Sequence, residues 1–323
     1  MGLHTGRLAA IEGVSTLANW AIQTAATPPS FVSSNSRNGT IRRKGPKDWS
    51  GSYAAKGGTP LKLPGQYLTF LGYTAPNNDT PGTAGVCYGG TAIVDQLAIN
   101  WNWETKEVVN HTISFSGHGA LAESVDTVED ATDVDAPSPF DCMVYLGNGE
   151  EGSGSSSGGD LPLTTATLTI TCANQSYVNA QTGEWTGRKP GGAIDWTMAI
   201  ALHENSGLAL PFVIGDDIEV VAQVGGGQEW LLQWGHVVSF TGITCDRAGA
   251  MIALTVNLSM QAEKDGTIGQ IVKPGGTVWW PDNLLAAGEP KGLVDPLGQP
   301  LATGIVDAGI VDAVEEDFGG LDR

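Results

Sequence analysis

What this chain lacks most is positive charge. Its 323 residues include 16 Lys and Arg against 35 Asp and Glu, a formal net charge of −19, and only 16% are charged at all. Gripping nucleic acid takes clustered cations that displace counterions from phosphates, so this balance argues against a nucleic-acid-binding role. It leaves room for nucleic acid to pass nearby without sticking. Long apolar runs are missing too. No segment approaches the roughly 18 apolar residues of a membrane span, and the start of the chain lacks a charged-then-apolar leader, so neither membrane insertion nor secretion is expected.

Cysteine and histidine are sparse. Cys87, Cys142, Cys172 and Cys245 are widely scattered with no C-x-x-C among them, which reads as free thiols made in a reducing cytoplasm. His4, His111, His118, His203 and His236 form neither H-x-H nor H-E-x-x-H, and His111 and His118 lie an odd step apart, on opposite faces of a strand. They read as structural, and no cofactor is expected. Asp130, Asp133 and Asp135 lack the Gly and distal Glu of a calcium loop. Gly225-Gly226-Gly227 lacks the Lys and following helix of a phosphate loop, and no G-x-S-x-G occurs. A glycosidase would need two carboxylates across a cleft with aromatics to stack on sugar. Trp101, Trp103, Trp230, Trp234, Trp279 and Trp280 supply aromatics, but Trp101 and Trp103 share the apolar face of an alternating strand and read as core. The chain is therefore read as non-enzymatic.

What is present is β-pattern. Leu97, Ile99, Trp101 and Trp103 alternate with polar neighbours, and so do Val109, His111, Ile113 and Phe115, across the polar turn Glu104-Thr105-Lys106-Glu107. That is a long antiparallel hairpin. A second one runs from Val238 and Phe240 through a turn at 244–249 to Ile252, Leu254, Val256, Leu258 and Met260. Each hairpin has one greasy face and one of Asn, Thr and Ser, where a sheet facing open water usually carries Lys and Glu. No long amphipathic helix is found. The 45 glycines fit a loop-rich β protein, or one that covers itself with its own copies.

The landmarks occur twice. Phe31-Val32, Asn38-Gly39, Arg42-Arg43-Lys44 and Asp48-Trp49 are echoed by Tyr177-Val178, Thr182-Gly183, Arg188-Lys189 and Asp195-Trp196. Pro64-Gly65 is echoed by Ile214-Gly215, and a long hairpin follows each time. The expected organisation is a first β domain over 1–122 and an acidic, Pro-containing linker over 123–139. A second β domain follows over 140–281, then an acidic C-terminal arm over 282–323. Leu8–Ile11 and Phe140–Leu146 are expected to be the opening strands.

Trp49-Ser50-Gly51-Ser52-Tyr53, the Pro64-Gly65 step and the hairpin from about Ala92 to Phe115, with the same layout in the second half, resemble the tail tube proteins of long-tailed bacteriophages over roughly residues 1–281. The arm has no counterpart in minimal members. The resemblance implies an all-β fold of two tandem related β-sandwich domains whose long hairpins join neighbouring copies into an inner barrel. Most members have one such domain, so a duplicated chain would form trimeric rings of six similar domains, stacked into a tube. The expected place is the virion tail.

On that reading Asn100, Asn102, Asn110, Thr112, Ser114, Thr255, Asn257 and Ser259 face the lumen, past which double-stranded DNA slides without specific binding. Arg42, Arg43, Lys44, Arg188 and Lys189 are expected to pair with acids on a neighbouring copy. The implied partners are the chain itself and the tape-measure, tail-tip and tail terminator proteins. A head decoration or tail-hub protein, or a carbohydrate-binding β-sandwich, is the alternative.

Overall fold

The computed structural model describes residues 10–11, 14, 16–32, 39–74, 84–127, 142–147, 162–179, 183–191, 193–204, 210, 212–244 and 252–281. The Asp130–Asp135 cluster, the Gly/Ser run 152–159, Cys245 and the expected arm 282–323 lie outside these residues. All regular structure among the described residues is β.

In chain order the first half contributes β1 (Ala10–Ile11), β2 (Leu17–Ala26), β3 (Ser30–Val32), β4 (Thr40–Arg42), β5 (Lys47–Lys56), β6 (Tyr67–Tyr73), β7 (Ala84–Asn102) and β8 (Glu107–Thr127). The second half contributes β9 (Val144–Gly147), β10 (Leu163–Cys172), β11 (Gln175–Tyr177), β12 (Gly187–Lys189), β13 (Ile194–Glu204), β14 (Asp217–Gly225), β15 (Gln228–Thr244) and β16 (Ile252–Met260). Four short strands follow: β17 (Glu263–Lys264), β18 (Thr267–Ile268), β19 (Ile271–Lys273) and β20 (Thr277–Trp280).

The hairpins form where the period-two pattern puts them. Asn102 Oδ1 accepts the Thr105 N–H at 3.0 Å and Lys106 takes φ 57°, so a local side-chain bond closes the β7–β8 turn. Both strands run further than the alternation indicated. β8 continues to Thr127, so the first unit does not end at 122; the first acids of the expected linker are strand residues paired with β7. Of the expected opening strands, Ala10–Ile11 and Val144–Gly147 are strands, Cys142 and Met143 are not, and residues 8–9 and 140–141 lie outside the described residues.

Strands pair in one order in both halves. The first runs β2-β5-β8-β7, with β6 and then β1 joined to β7; the second runs β10-β13-β16-β15-β14-β9. Details repeat as well. Gly65 N–H bonds Val94 O at 2.8 Å and Val94 N–H bonds Gln66 O at 3.0 Å. Gly215, Val237 and Asp216 make the same pair of bonds at 3.0 and 2.8 Å. Both glycines have positive φ (82° and 99°), which only glycine adopts without strain. One residue later each long hairpin has a bulge, between Val94 and Gln96 and between Val237 and Ser239.

The halves are not held apart by the acidic segment. One 14-stranded sheet runs through both, because β7 pairs with β10 from Gln96 opposite Thr171 to Asn102 opposite Thr165. The core is shared along the seam: Trp101 Nε1 donates to Gln223 O at 2.9 Å and Trp230 Nε1 to Gly58 O at 3.1 Å.

Trp49 anchors the first half. It is buried against Phe70 and Phe115, with Nε1 donating to Gly119 O at 3.0 Å. Its ring lies on Gly117, where an added Cβ would stand 2.2 Å from Nε1. Gly117→Ala is therefore expected to lower unfolding free energy by about 2–3 kcal/mol through overpacking. At Gly147 the nearest atom to a new Cβ is 3.9 Å away, so Gly147→Ala should stay within about 0.5 kcal/mol. Denaturant midpoints measure both, and equal midpoints would contradict this packing.

Candidate functional site

The face opposite the core is built by cross-strand rows. Reading across β8, β7, β10, β13, β16 and β15, one row is Asn110, Asn100, Thr167, Ala199, Asn257 and Ser239. Its neighbours are Thr112, Ala98, Thr169, Thr197 and Ser259, and Asn102, Thr165, Ala201, Thr255 and Thr241. A fourth row is Ser114, Gln96, Thr171 and Asp195. All eight residues singled out in the sequence thus share one face of one sheet, alternating with buried Trp101, Ile113, Phe115, Leu254, Val256 and Leu258.

Side-chain bonds tie the rows together. Asn100 Nδ2 donates to Asn110 Oδ1 at 3.3 Å, and Thr167 Oγ1 donates to Asn100 Oδ1 at 3.0 Å. Asn257 Nδ2 donates to Ser239 Oγ at 3.2 Å and to Thr241 Oγ1 at 3.0 Å. The rows contain no Lys or Arg; their acids are Asp195 and, opposite Asn102 on β8, Glu107, with His236 opposite Ser259 on β15 and Lys56 at the margin opposite Asn110. Such a surface holds water and offers a phosphate no cation. His111 is on the core side, with Nδ1 2.7 Å from Gly57 O, and burial pushes its pKa below the ordinary value.

The basic residues divide into two sets. Arg188 lies within the chain: Nη2 meets Asp48 Oδ2 at 2.5 Å, Nε donates to Gly117 O at 3.1 Å, and its N–H donates to His118 Nδ1 at 2.9 Å. Tyr67 Oη donates to the Arg188 carbonyl at 3.1 Å. Lys44 and Lys47 both pair with Glu184, whose carboxyl they hold below its ordinary range. The expectation of neighbour pairing is thus corrected for Arg188 and Lys44, whose carboxylates lie in the same chain. Arg43 stacks on Phe31 and Lys189 on Tyr177, with 5.9 and 5.7 Å from cation to ring centroid. Arg42 is exposed, with no carboxylate partner among the described residues.

The segment 184–188 is a seam that sequence reasoning missed. Lys47 N–H bonds Glu184 O, Thr186 N–H bonds Lys47 O, and Gly119 N–H bonds Thr186 O, at 2.7, 2.9 and 2.9 Å. The signal available was positional: Asp48 immediately precedes Trp49, one of the matched landmarks.

Two strand edges are left open. Among the described residues β2 pairs only with β5, and its outer positions are largely exposed. β15 has β14 beside it as far as His236, but from Ser239 to Thr244 its ladder partner among the described residues is β16 alone. Val238 and Ile243 are 50% and 63% exposed. The equivalent outer stretch of β7 is the one that β10 covers. No protein-family model matches this chain, and no curated protein matches it either.

Proposed function

We propose that this chain is a virion structural protein, the subunit of a phage-type tail tube, and that its halves are duplicated tube units. The carrying observation is the β7–β10 ladder. β10 stands in the second half where β2 stands in the first, and β15 stands where β7 stands. The chain therefore contains one finished junction between units, with the two halves of an identical junction open at its ends. A heterologous contact of this kind closes into a ring when the rotation per unit divides a full turn. Three copies give six units, and closure removes both open edges.

The template also sets the register. Val94 corresponds to Val237 by shared bonds and bulge, and Trp49 corresponds to Trp196 by strand pairing. Carrying the β7–β10 register across places Ser239, Phe240 and Thr241 opposite Ala25, Thr24 and Gln23 of the next copy. In the closed ring the Asn/Thr/Ser rows form one continuous surface, read here as the channel lining for DNA in passage. Sedimentation equilibrium tests the assembly: trimers and their multiples are expected, and a monomer at every concentration would overturn the reading.

A further inference from the structure

We infer that Arg42 of one copy seats on Asp195 of the next, forming the charged clasp of the interface between copies. The inference rests on the ring reading and extends it to a charged pair at the last row of the polar face.

The small β3–β4 and β11–β12 ribbons match position by position. Ser30 lies opposite Arg42 and Phe31 opposite Ile41; Ser176 lies opposite Arg188 and Tyr177 opposite Gly187. The first residue past each pair stacks its cation on the ribbon aromatic, Arg43 on Phe31 and Lys189 on Tyr177. Thr27 N–H bonds Pro46 O as Ala173 N–H bonds Ala193 O, at 3.1 and 3.0 Å. Arg42 is therefore the counterpart of Arg188.

The β11–β12 ribbon has its receiving surface inside the chain. Arg188 lies on Asp48, one residue before Trp49, with a side chain only 16% exposed. The same place in the second half is Asp195, one residue before Trp196, and it is exposed, with no salt bridge to a cation among the described residues. Correspondence through the long hairpins puts Gln261 where His118 stands and Asp217 where Tyr67 stands. The receiving surface thus has two carboxylates, Asp195 and Asp217, where the internal one has Asp48; Asp217 Oδ1 already meets His236 Nδ1 at 2.8 Å, so Asp195 is the one left to the ribbon, which carries Arg42 and Arg43. Phe31 and Val32, at 45% and 61% exposed, are the apolar part of that ribbon. A second copy, displaced as the second half is displaced from the first, brings the two together.

The test is a charge exchange in the full chain. Arg42→Asp and Asp195→Arg are each expected to weaken ring formation at least about tenfold, read as a shift of the monomer–trimer equilibrium by sedimentation. The double exchange should return the constant to within about threefold of wild type. Neutral Arg42→Gln and Asp195→Asn, at the same exposed positions, should weaken assembly in the same direction without moving the denaturant midpoint. Single variants that assemble like wild type, or a double exchange no better than either single, would overturn the clasp while leaving the ring reading standing. A wild-type chain that never assembles would overturn both.

Discussion

Replacing Val256 by aspartate is expected to abolish the native fold or come close to it. Val256 is fully buried in β16, in a row formed by Trp101, Ala166, Ile200 and Phe240. A carboxylate there would have neither water nor a cation in that row, and an unpaired buried charge is among the costliest single changes. A loss of about 4–5 kcal/mol is expected, set against a total stability of about 5–15 kcal/mol for a typical domain. Thr255 is the adjacent residue on the other face, and Thr255→Ser should cost no more than about 0.5 kcal/mol. Urea midpoints of the two variants measure the contrast. Equal tolerance would mean that the facing of β16 is wrong.

The second large effect is on DNA passage rather than on folding. Arginine at Thr112 and Thr255 adds cations to the polar face in both halves, at positions that alternate with core residues. In the proposed ring three copies bring six of them, and stacked rings multiply the number. Each phosphate neutralised steepens the salt dependence of binding by about 0.9 in log–log slope. Assembled particles carrying Thr112→Arg and Thr255→Arg should eject DNA slowly at low salt and recover speed as salt rises. Wild-type particles should show a much flatter dependence. Identical curves would mean that these residues do not line the path.

Much of the fold was legible because strand alternation is local. Asn110, Thr112 and Ser114 announced their face through the apolar residues between them, and the structure keeps all eight polar residues together on one side. The boundary at 122 was not legible, since Glu123 and Asp126 are acidic by composition yet paired in a strand by their register with β7. Short strands such as β11 and β12 have too few residues for a period to show. The β7–β10 ladder is a contact between distant segments, and alternation along a strand says which face is polar but not which strand lies alongside.

Charge was legible by type and not by address. Arg188 and Arg42 look equivalent in sequence, yet one has Asp48 within reach in its own chain and the other has no such partner among the described residues. The difference is positional: Asp48, on β5 of the first half, lies beside the β11–β12 ribbon, and no described carboxylate lies beside Arg42. The same asymmetry leaves β2 and the outer stretch of β15 open.

That asymmetry makes electron microscopy of the purified full-length protein, with three-dimensional averaging, the most direct measurement. The account predicts annular particles or stacked tubes with an open centre, threefold symmetric and nearly sixfold, in which β2 of each copy runs along the outer stretch of its neighbour's β15. Isolated single chains at every concentration, or an assembly in which those two strands stay apart, would contradict it.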